Sequence, residues 1–170
     1  MIKQDISENQ VNTVYLALGS NLGNRINNIE KAKSLLIKND VSLISVSKYY
    51  ETPSWPNPKN PKFINIVLKS KCLLNPKQLL KLCKSIEVTL GRKKTLKYAP
   101  RVCDIDIIDF NGSILNGKLT LPHKMMHKRN FVLFPLFEIE KKWRHPIQKI
   151  DIKKMIFSLP IKDIRSIKQI

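Results

Sequence analysis

Residues 62–91, "KFINIVLKSKCLLNPKQLLKLCKSIEVTLG", contain a strand followed directly by a helix. The first eleven residues have the composition of a strand. The rest predicts a helix, because Asn75 can cap its first turn, Pro76 stands at the first helical position and Gly91 can end it. Together with the segments on either side, this strand–helix pair indicates the fold.

Those flanking segments supply further strands and one further helix. Upstream lie a strand in "TVYLALGSN", a helix in "NRINNIEKAKSLLIKN" that Asn24 can cap, and an alternating strand in "VSLISVSKYYE". Downstream, "APRVCDIDIIDF" predicts the last strand. The order strand–helix–strand–strand–helix–strand is the split βαβ pattern of ferredoxin-like α+β folds. We therefore expect an antiparallel sheet with helices packed on one face and the other face free for a ligand.

Two long loops and two tails complete the predicted domain. The loop "TPSWPNPKNP" has four prolines in ten residues, a density that excludes regular structure. The second loop, "RKKTLKYAP", is basic, and we expect both loops to rise beside the open face. The chain length suits one domain. We place this domain at residues 13–160, between a polar tail at 1–12 and a second tail at 161–170.

The composition is that of a globular protein without a membrane segment. It is 42% hydrophobic and 26% charged, and no run approaches the roughly 18 consecutive apolar residues of a membrane span. The polar start "MIKQDISENQ" is neither a secretory signal nor a transit peptide. Cys72, Cys83 and Cys103 lack metal-type spacing and predict buried, reduced thiols. We expect a cytoplasmic monomer with no membrane partner.

The formal net charge of +18 raises the question of a nucleic-acid partner. Only six of the 31 basic residues are arginines, and the lysines are spread along the chain, so compositional drift explains the charge equally well. An RNA-recognition domain shares the expected fold, but its aromatic strand motif does not occur here. We therefore expect small anionic substrates and no nucleic acid, while salt-sensitive RNA retention would favour the binding module.

Two acidic residues, Asp104 and Asp106, stand two positions apart in the predicted last strand. Residues i and i+2 of a strand point to the same side, roughly 7 Å apart. Their carboxylates repel each other unless a cation lies between them, although a pair of solvated residues on an edge strand is an equally frequent arrangement. Basic residues crowd the preceding loop and Arg101 lies three positions upstream. Carboxylates beside basic side chains are typical of sites where magnesium and phosphate meet.

Other candidate motifs carry less information. His123 and His127 lack the further ligands that a zinc site needs, and a lone histidine is usually structural. They fit better as neutral donors near a phosphate. Trp55 is either a lid residue or a hydrophobic anchor. The "GSN" turn at residues 19–21 is too short for a phosphate loop, and no P-loop or dinucleotide fingerprint occurs.

Taken in order, "YLALGSNLGNR", "SKYYETP", "FINIVL", "SIEVTLGR", "APRVCDIDIIDF" and "LTLPHKMMHKRNFVLFPLFEI" resemble 6-hydroxymethyl-7,8-dihydropterin pyrophosphokinases of folate biosynthesis. The resemblance runs from about Thr13 to about Pro160 and implies a ferredoxin-like fold. It also implies transfer of the terminal diphosphate of ATP to the pterin's hydroxymethyl oxygen, with release of AMP. Asp104 and Asp106 match the two aspartates that hold two magnesium ions, which arrive with ATP as the co-substrate.

The same resemblance assigns the remaining site residues one by one. Arg92 and Arg101 match catalytic arginines on the ATP phosphates. Other positions implied on the ATP side are Lys84, Glu87, Lys94, Ile107, Lys118, Thr120, His123, Lys124 and Arg129. Positions implied on the pterin side are Asn21, Thr52, Pro53, Trp55, Phe63, Asn65, Tyr98, Asp104 and Phe131. Tyr98 and Phe131 would cover the two faces of the pterin ring, and Asn65 would hydrogen-bond its edge.

Several positions depart from the family pattern. Lys84 replaces a glutamine of some members, Lys94 and Lys118 replace arginines, Lys124 an aromatic residue and Phe63 a tyrosine. Lysine keeps the charge of arginine but loses its bidentate geometry, so we expect weakened or rerouted ATP contacts. A protein that kept the fold and lost catalysis is a further alternative. The intact acidic pair, Arg101 and His123 argue against it.

Overall fold

Residues 10–55, 57–93 and 99–170 are described by a computed structural model of the chain. The strands are β1 (Asn12–Ser20), β2 (Ser42–Val46), β3 (Tyr50–Thr52), β4 (Phe63–Cys72), β5 (Asp104–Phe110) and β6 (Lys168–Gln169). The α-helices are α1 (Arg25–Lys38), α2 (Pro76–Thr89), α3 (Asn130–Ile139), α4 (Ile152–Phe157) and α5 (Ile161–Ser166), and a short 3-10 helix spans Met126–Lys128. Residues 94–98 of the basic loop and Pro56 lie outside this description.

All six strands form one antiparallel sheet. Its order is β5-β1-β4-β3-β6, and β2 also pairs with β4. The single strand predicted at residues 41–51 is therefore two shorter strands, both antiparallel to β4. The antiparallel α+β fold expected from the sequence is confirmed, and the positions of β1, β4 and β5 match the split βαβ arrangement.

One face of the sheet packs on α1 and α2. Alternate residues of three neighbouring strands, such as Leu16 of β1, Ile66 of β4 and Ile105 of the edge strand β5, form this first core. Asn24 and Asn75 cap the two helices as predicted, since each side-chain oxygen accepts a backbone N–H of the first turn. The buried residues of each helix, such as Ile29 of α1 and Leu79 of α2, place its apolar side on the sheet.

The other face is divided between a second core and an open region. Helix α3 packs its Val132, Leu133 and Leu136 against Val67 of β4 and Ile108 of β5. The expectation that this face stays free for a ligand therefore holds only beyond α3. The reason is the strongly apolar segment of residues 130–139, which needs a sheet face to bury its side chains.

The register of the sheet places polar residues in the open region. Gly19 of β1 lies between Asp104 of β5 and Asn65 of β4. One step along the sheet, Ala17 lies beside Asp106. Because paired residues share a face, Asp104, Asp106 and Asn65 all point to the side opposite the first core. The two predicted halves of the ligand site therefore share one surface.

Asn12 and residues 168–169, which were expected to lie in the two tails, take part in the sheet. Asn12 begins β1 and is buried, and residues 161–170 form α5 and β6 instead of a separate tail. The strand β6 gains its hydrogen-bond partner from β3, more than a hundred residues earlier, which local sequence does not reveal.

Two expectations from the composition concern the state of the cysteines and the presence of a membrane-spanning helix. Cys72, Cys83 and Cys103 are free and buried, as predicted, and burial raises the pKa of Cys83 and Cys103 to about 12. Within the described residues, every helix is too short or too polar to cross a bilayer.

Candidate active site

The two aspartates of β5 lie at the centre of a cluster of basic side chains. Asp104 is one-fifth exposed; its Oδ1 accepts from Arg92 Nη1 at 2.8 Å and its Oδ2 from Arg101 Nη1 at 2.7 Å. Asp106 is more exposed, and its Oδ2 lies 3.1 Å from Arg129 Nη1. The three arginines singled out in the sequence are thus the ones that neutralise the acidic pair. Each approaches from a loop or a helix end outside the sheet.

His123 joins this cluster in a defined orientation. Its Nδ1 accepts the N–H of Met125 at 3.2 Å, so the neutral ring carries its proton on Nε2, which lies 3.8 Å from Asp106 Oδ2. Burial lowers the pKa of His123 and neighbouring Arg129 adds to this, while Asp106 opposes it. The backbone N–H of His123 donates to the carbonyl of Ile108, next to a β-bulge in the β1–β5 pairing. The ring therefore offers a neutral N–H donor beside the acidic pair.

Glu87 connects the cluster to the protein interior. It is fully buried on α2, and its Oε1 accepts the backbone N–H of Ile105 at 2.8 Å. Its carboxylate also pairs with Lys84 Nζ at 2.9 Å and closely with Arg92. A buried carboxylate needs such partners to offset its lost hydration. Glu87 therefore orients Arg92 toward Asp104 and fixes the start of β5.

Asn21 joins the ends of the two loops. Its backbone N–H donates to the carbonyl of Arg101 at 3.1 Å, and its side-chain Oδ1 accepts the Arg101 N–H at 2.7 Å. Its Nδ2 donates to the carbonyl of Pro61 at 3.1 Å. The side chain is thus engaged on both sides, with the end of the proline-rich loop and the end of the basic loop. These bonds satisfy both polar atoms of its buried side chain.

A second group of predicted residues lies across Gly19 from the aspartates. Asn65 and Thr52 are buried, and Asn65 Nδ2 donates to Thr52 Oγ1 at 3.1 Å. A Cβ atom on Gly19 would lie only 2.7 Å from Asn65 Oδ1 and 3.4 Å from the Phe63 ring. Gly19 therefore allows the Asn65 amide to lie flat over β1. The sequence reading missed this role, and its only signal was a glycine near the end of a buried strand.

Phe131 approaches the acidic cluster from the first turn of α3. The guanidinium carbon of Arg129 lies 5.5 Å from the centre of its ring. Phe131 was predicted to contact the pterin and Arg129 to contact ATP, so this contact links the two predicted parts of the site. The structure therefore brings Asp106, Arg129 and Phe131 together at the boundary between the open region and α3.

The remaining predicted residues lie at the rim, in the core or outside the described residues. Pro53, Trp55, Lys118 and Lys124 are exposed, and Thr120 is half-buried and hydrogen-bonds Gly117. Ile107 is buried in the first core, on the face opposite the aspartates, so only its backbone could contact a nucleotide. Lys94 and Tyr98 lie outside the described residues.

The donor set of the cluster fits magnesium better than a transition metal. In the described ranges, no three histidine, cysteine or acidic side chains gather in metal-binding geometry. Two carboxylates on one strand face match the one or two protein ligands that magnesium usually takes, with water and phosphate oxygens completing its octahedron. Asp104 and Asp106 are therefore the residues that could hold this ion.

A protein-family comparison identifies the family of the chain. The family model for 7,8-dihydro-6-hydroxymethylpterin-pyrophosphokinase (HPPK) matches residues 15–141. The chain belongs to the HPPK family. A protein of Aquifex aeolicus named 2-amino-4-hydroxy-6-hydroxymethyldihydropteridine pyrophosphokinase is 40% identical over 143 residues, which cover 84% of this chain and 89% of that protein. The resemblance seen in the sequence motifs is therefore confirmed.

Longer proteins also match the chain. The folic acid synthesis protein FOL1 of Dictyostelium discoideum is 40% identical over 150 residues, but these are 88% of this chain and only 23% of that protein. The crystal structure of Plasmodium falciparum HPPK-DHPS with pteroate has a TM-score of 0.71 and 17% identity, covering 88% of this chain and 42% of that one. This second likeness supports the fold alone.

Substitution of Glu87 tests its structural role in the site. In Glu87→Ala, the Ile105 N–H and two basic side chains lose a buried acceptor, and we expect the free energy of unfolding to fall by about 3 kcal/mol or more. Glu87→Gln keeps an oxygen for the Ile105 N–H, so it should lose less. Chemical denaturation of both variants measures the difference. Equal stability of Glu87→Ala and the wild type would contradict this role.

Proposed function

We propose that this HPPK-family chain transfers the terminal diphosphate of ATP to the hydroxymethyl group of 6-hydroxymethyl-7,8-dihydropterin, releasing AMP. The single observation that carries the proposal is the surface on which Asp104, Gly19 and Asn65 lie side by side, with three arginines around the acidic end. One end of this surface suits phosphates and the other suits a flat, polar heterocycle. The family match supports the same reaction.

The acidic end is assigned to ATP and magnesium. Asp104 and Asp106 would hold two magnesium ions, which neutralise phosphate charge and align the triphosphate. Arg92, Arg101 and Arg129 already lie on these carboxylates, and their planar guanidinium groups are equally suited to phosphate oxygens. His123 would add a neutral N–H donor.

The other end is assigned to the pterin. The amide of Asn65 and the hydroxyl of Thr52 are buried together and would recognise the polar edge of the ring. Phe131, with Tyr98 of the basic loop, would cover its faces. The hydroxymethyl oxygen then attacks the β-phosphorus, and the bond from that phosphorus to the α,β-bridging oxygen breaks. The protein's contribution is positioning and charge stabilisation, as in other phosphoryl transfers.

Three further features of the protein are proposals: its compartment, its oligomeric state and the closure of a loop. We propose that the protein acts in the cytoplasm, which its three free, buried cysteines support, and that it is a monomer. The exposed Trp55 and the proline-rich loop would close over the reactants and exclude water.

The reaction itself is tested by product analysis with ATP, magnesium and the reduced hydroxymethylpterin. We expect AMP to form only when the pterin is present, with Asp106→Asn lowering turnover at least a hundredfold because one carboxylate charge is lost. Asp40→Asn is the matched control, since Asp40 lies in a remote turn whose positive φ of 61° asparagine tolerates. ADP formation, pterin-independent AMP or a fully active Asp106→Asn would refute the assignment.

The contact between Gly19 and Asn65 gives a separate test of the pterin end. In Gly19→Ala the added methyl group displaces the Asn65 amide, so we expect the KM for the pterin to rise about tenfold or more. Asn65→Ala alone should also weaken pterin binding, but adding Gly19→Ala to it should have little further effect. Additive effects of the two substitutions would show that Gly19 acts independently of Asn65.

A further inference from the structure

Asn130 lies between two residues of the site, Arg129 and Phe131, and is itself buried. Its Nδ2 donates to the backbone carbonyl of Asp163 at 2.6 Å and to Ser166 Oγ at 3.2 Å. Its Oδ1 accepts the N–H of Phe131 at 2.7 Å. One amide thus connects the first turn of α3 to α5, more than thirty residues later.

The same C-terminal segment is attached to the pterin side of the site. We name residues 161–170 the C-terminal strap; it contains α5 and β6. Its β6 pairs with β3, with Glu51 opposite Lys168. Its last N–H, that of Ile170, donates to the carbonyl of Tyr49 at 2.9 Å. The last residue of β3 is Thr52, which accepts a hydrogen bond from Asn65.

The strap therefore joins the first turn of α3 to β3, two elements that each carry a residue of the candidate pterin site. One attachment is the Asn130 amide beside Phe131, and the other is the β3–β6 pairing beside Thr52. We propose that Asn130 is a positioning residue that, through this strap, sets the distance between the Phe131 ring and the Asn65–Thr52 pair, and with it the affinity for the pterin. This inference rests on the proposed function.

The chemistry of the asparagine side chain suits this role. The donor half of the amide holds the strap, and the acceptor half holds the N–H of Phe131. Aspartate has the same shape but no donor, and its carboxylate would face the Asp163 carbonyl with like partial charge. Asn130→Asp therefore keeps the acceptor for Phe131 and breaks the link to the strap. The substitution therefore tests the bond to the strap separately from the bond to the Phe131 N–H.

The test compares Asn130→Asp with the wild type by direct fluorescence titration of the pterin and by steady-state kinetics. We expect the Kd and KM for the pterin to rise about threefold to tenfold, the loss of one or two buried hydrogen bonds. The KM for ATP should change less than about twofold, because Arg129 stays paired with Asp106 through a long side chain. Amide hydrogen exchange of residues 161–170 should also become faster.

Two control variants separate positioning from a general loss of structure. Lys162→Ala changes an exposed side chain of the same segment and should leave every readout unchanged. Ser166→Ala removes only the longer of the two hydrogen bonds from Asn130 Nδ2, so it should raise the Kd for the pterin less than Asn130→Asp does. The inference is overturned if Asn130→Asp binds the pterin like the wild type, or if the KM values for pterin and ATP rise equally.

The result is distinguishable from a failure of the proposed function. If the wild type neither binds the pterin nor forms AMP, the proposed function fails, and the inference fails with it. If the wild type forms AMP and Asn130→Asp does so with unchanged constants, only the role of the strap is refuted.

Discussion

Two carboxylates on one face of a strand are the constraint on which the site depends. Asp104 and Asp106 cannot lie side by side in a partly buried position without cations, because their mutual repulsion and lost hydration both oppose it. Arg92, Arg101 and Arg129 supply these cations from three places along the chain. These ion pairs also hold three segments against the sheet. Arg92 and Arg101 attach the two ends of the basic loop, and Arg129 attaches the start of α3.

The same sheet face serves as a core at one end and as a binding surface at the other. Where β4 and β5 present Val67 and Ile108, the apolar side of α3 covers them. Where they present Asn65 and Asp104, polar side chains occupy the face, and Gly19 has no side chain to separate them. Helix α3 begins at this boundary, so its first residues lie beside the site. The position of the ligand surface is thus a consequence of side-chain alternation along the strands.

Local patterns in the sequence were sufficient for β1, β4, β5, the first two helices and the acidic pair, but not for the division of residues 41–51 into two strands or for β6. The caps at Asn24 and Asn75 and the alternation in β5 depend on near neighbours, and each was predicted correctly. The roles of Glu87 and Asn21 were beyond such reasoning, because their partners Ile105 and Arg101 lie 18 and 80 residues away. The cover of α3 over half of the second face also depends on tertiary packing. The site residues assigned from the family resemblance remain predictions about ligand contact.

The charge balance of the cluster supports a reaction in which metal ions accompany the nucleotide. Among the described side chains around the aspartates and Glu87, four basic groups pair with three carboxylates, so these seven side chains carry a single excess positive charge. A basic patch built only to hold a triphosphate would gain nothing from three buried or half-buried carboxylates, which repel it. Such carboxylates favour binding only if divalent cations enter with the phosphates and take the places that the arginines leave. In the proposed reaction, the acidic residues would therefore favour a metal–nucleotide complex over a free polyanion.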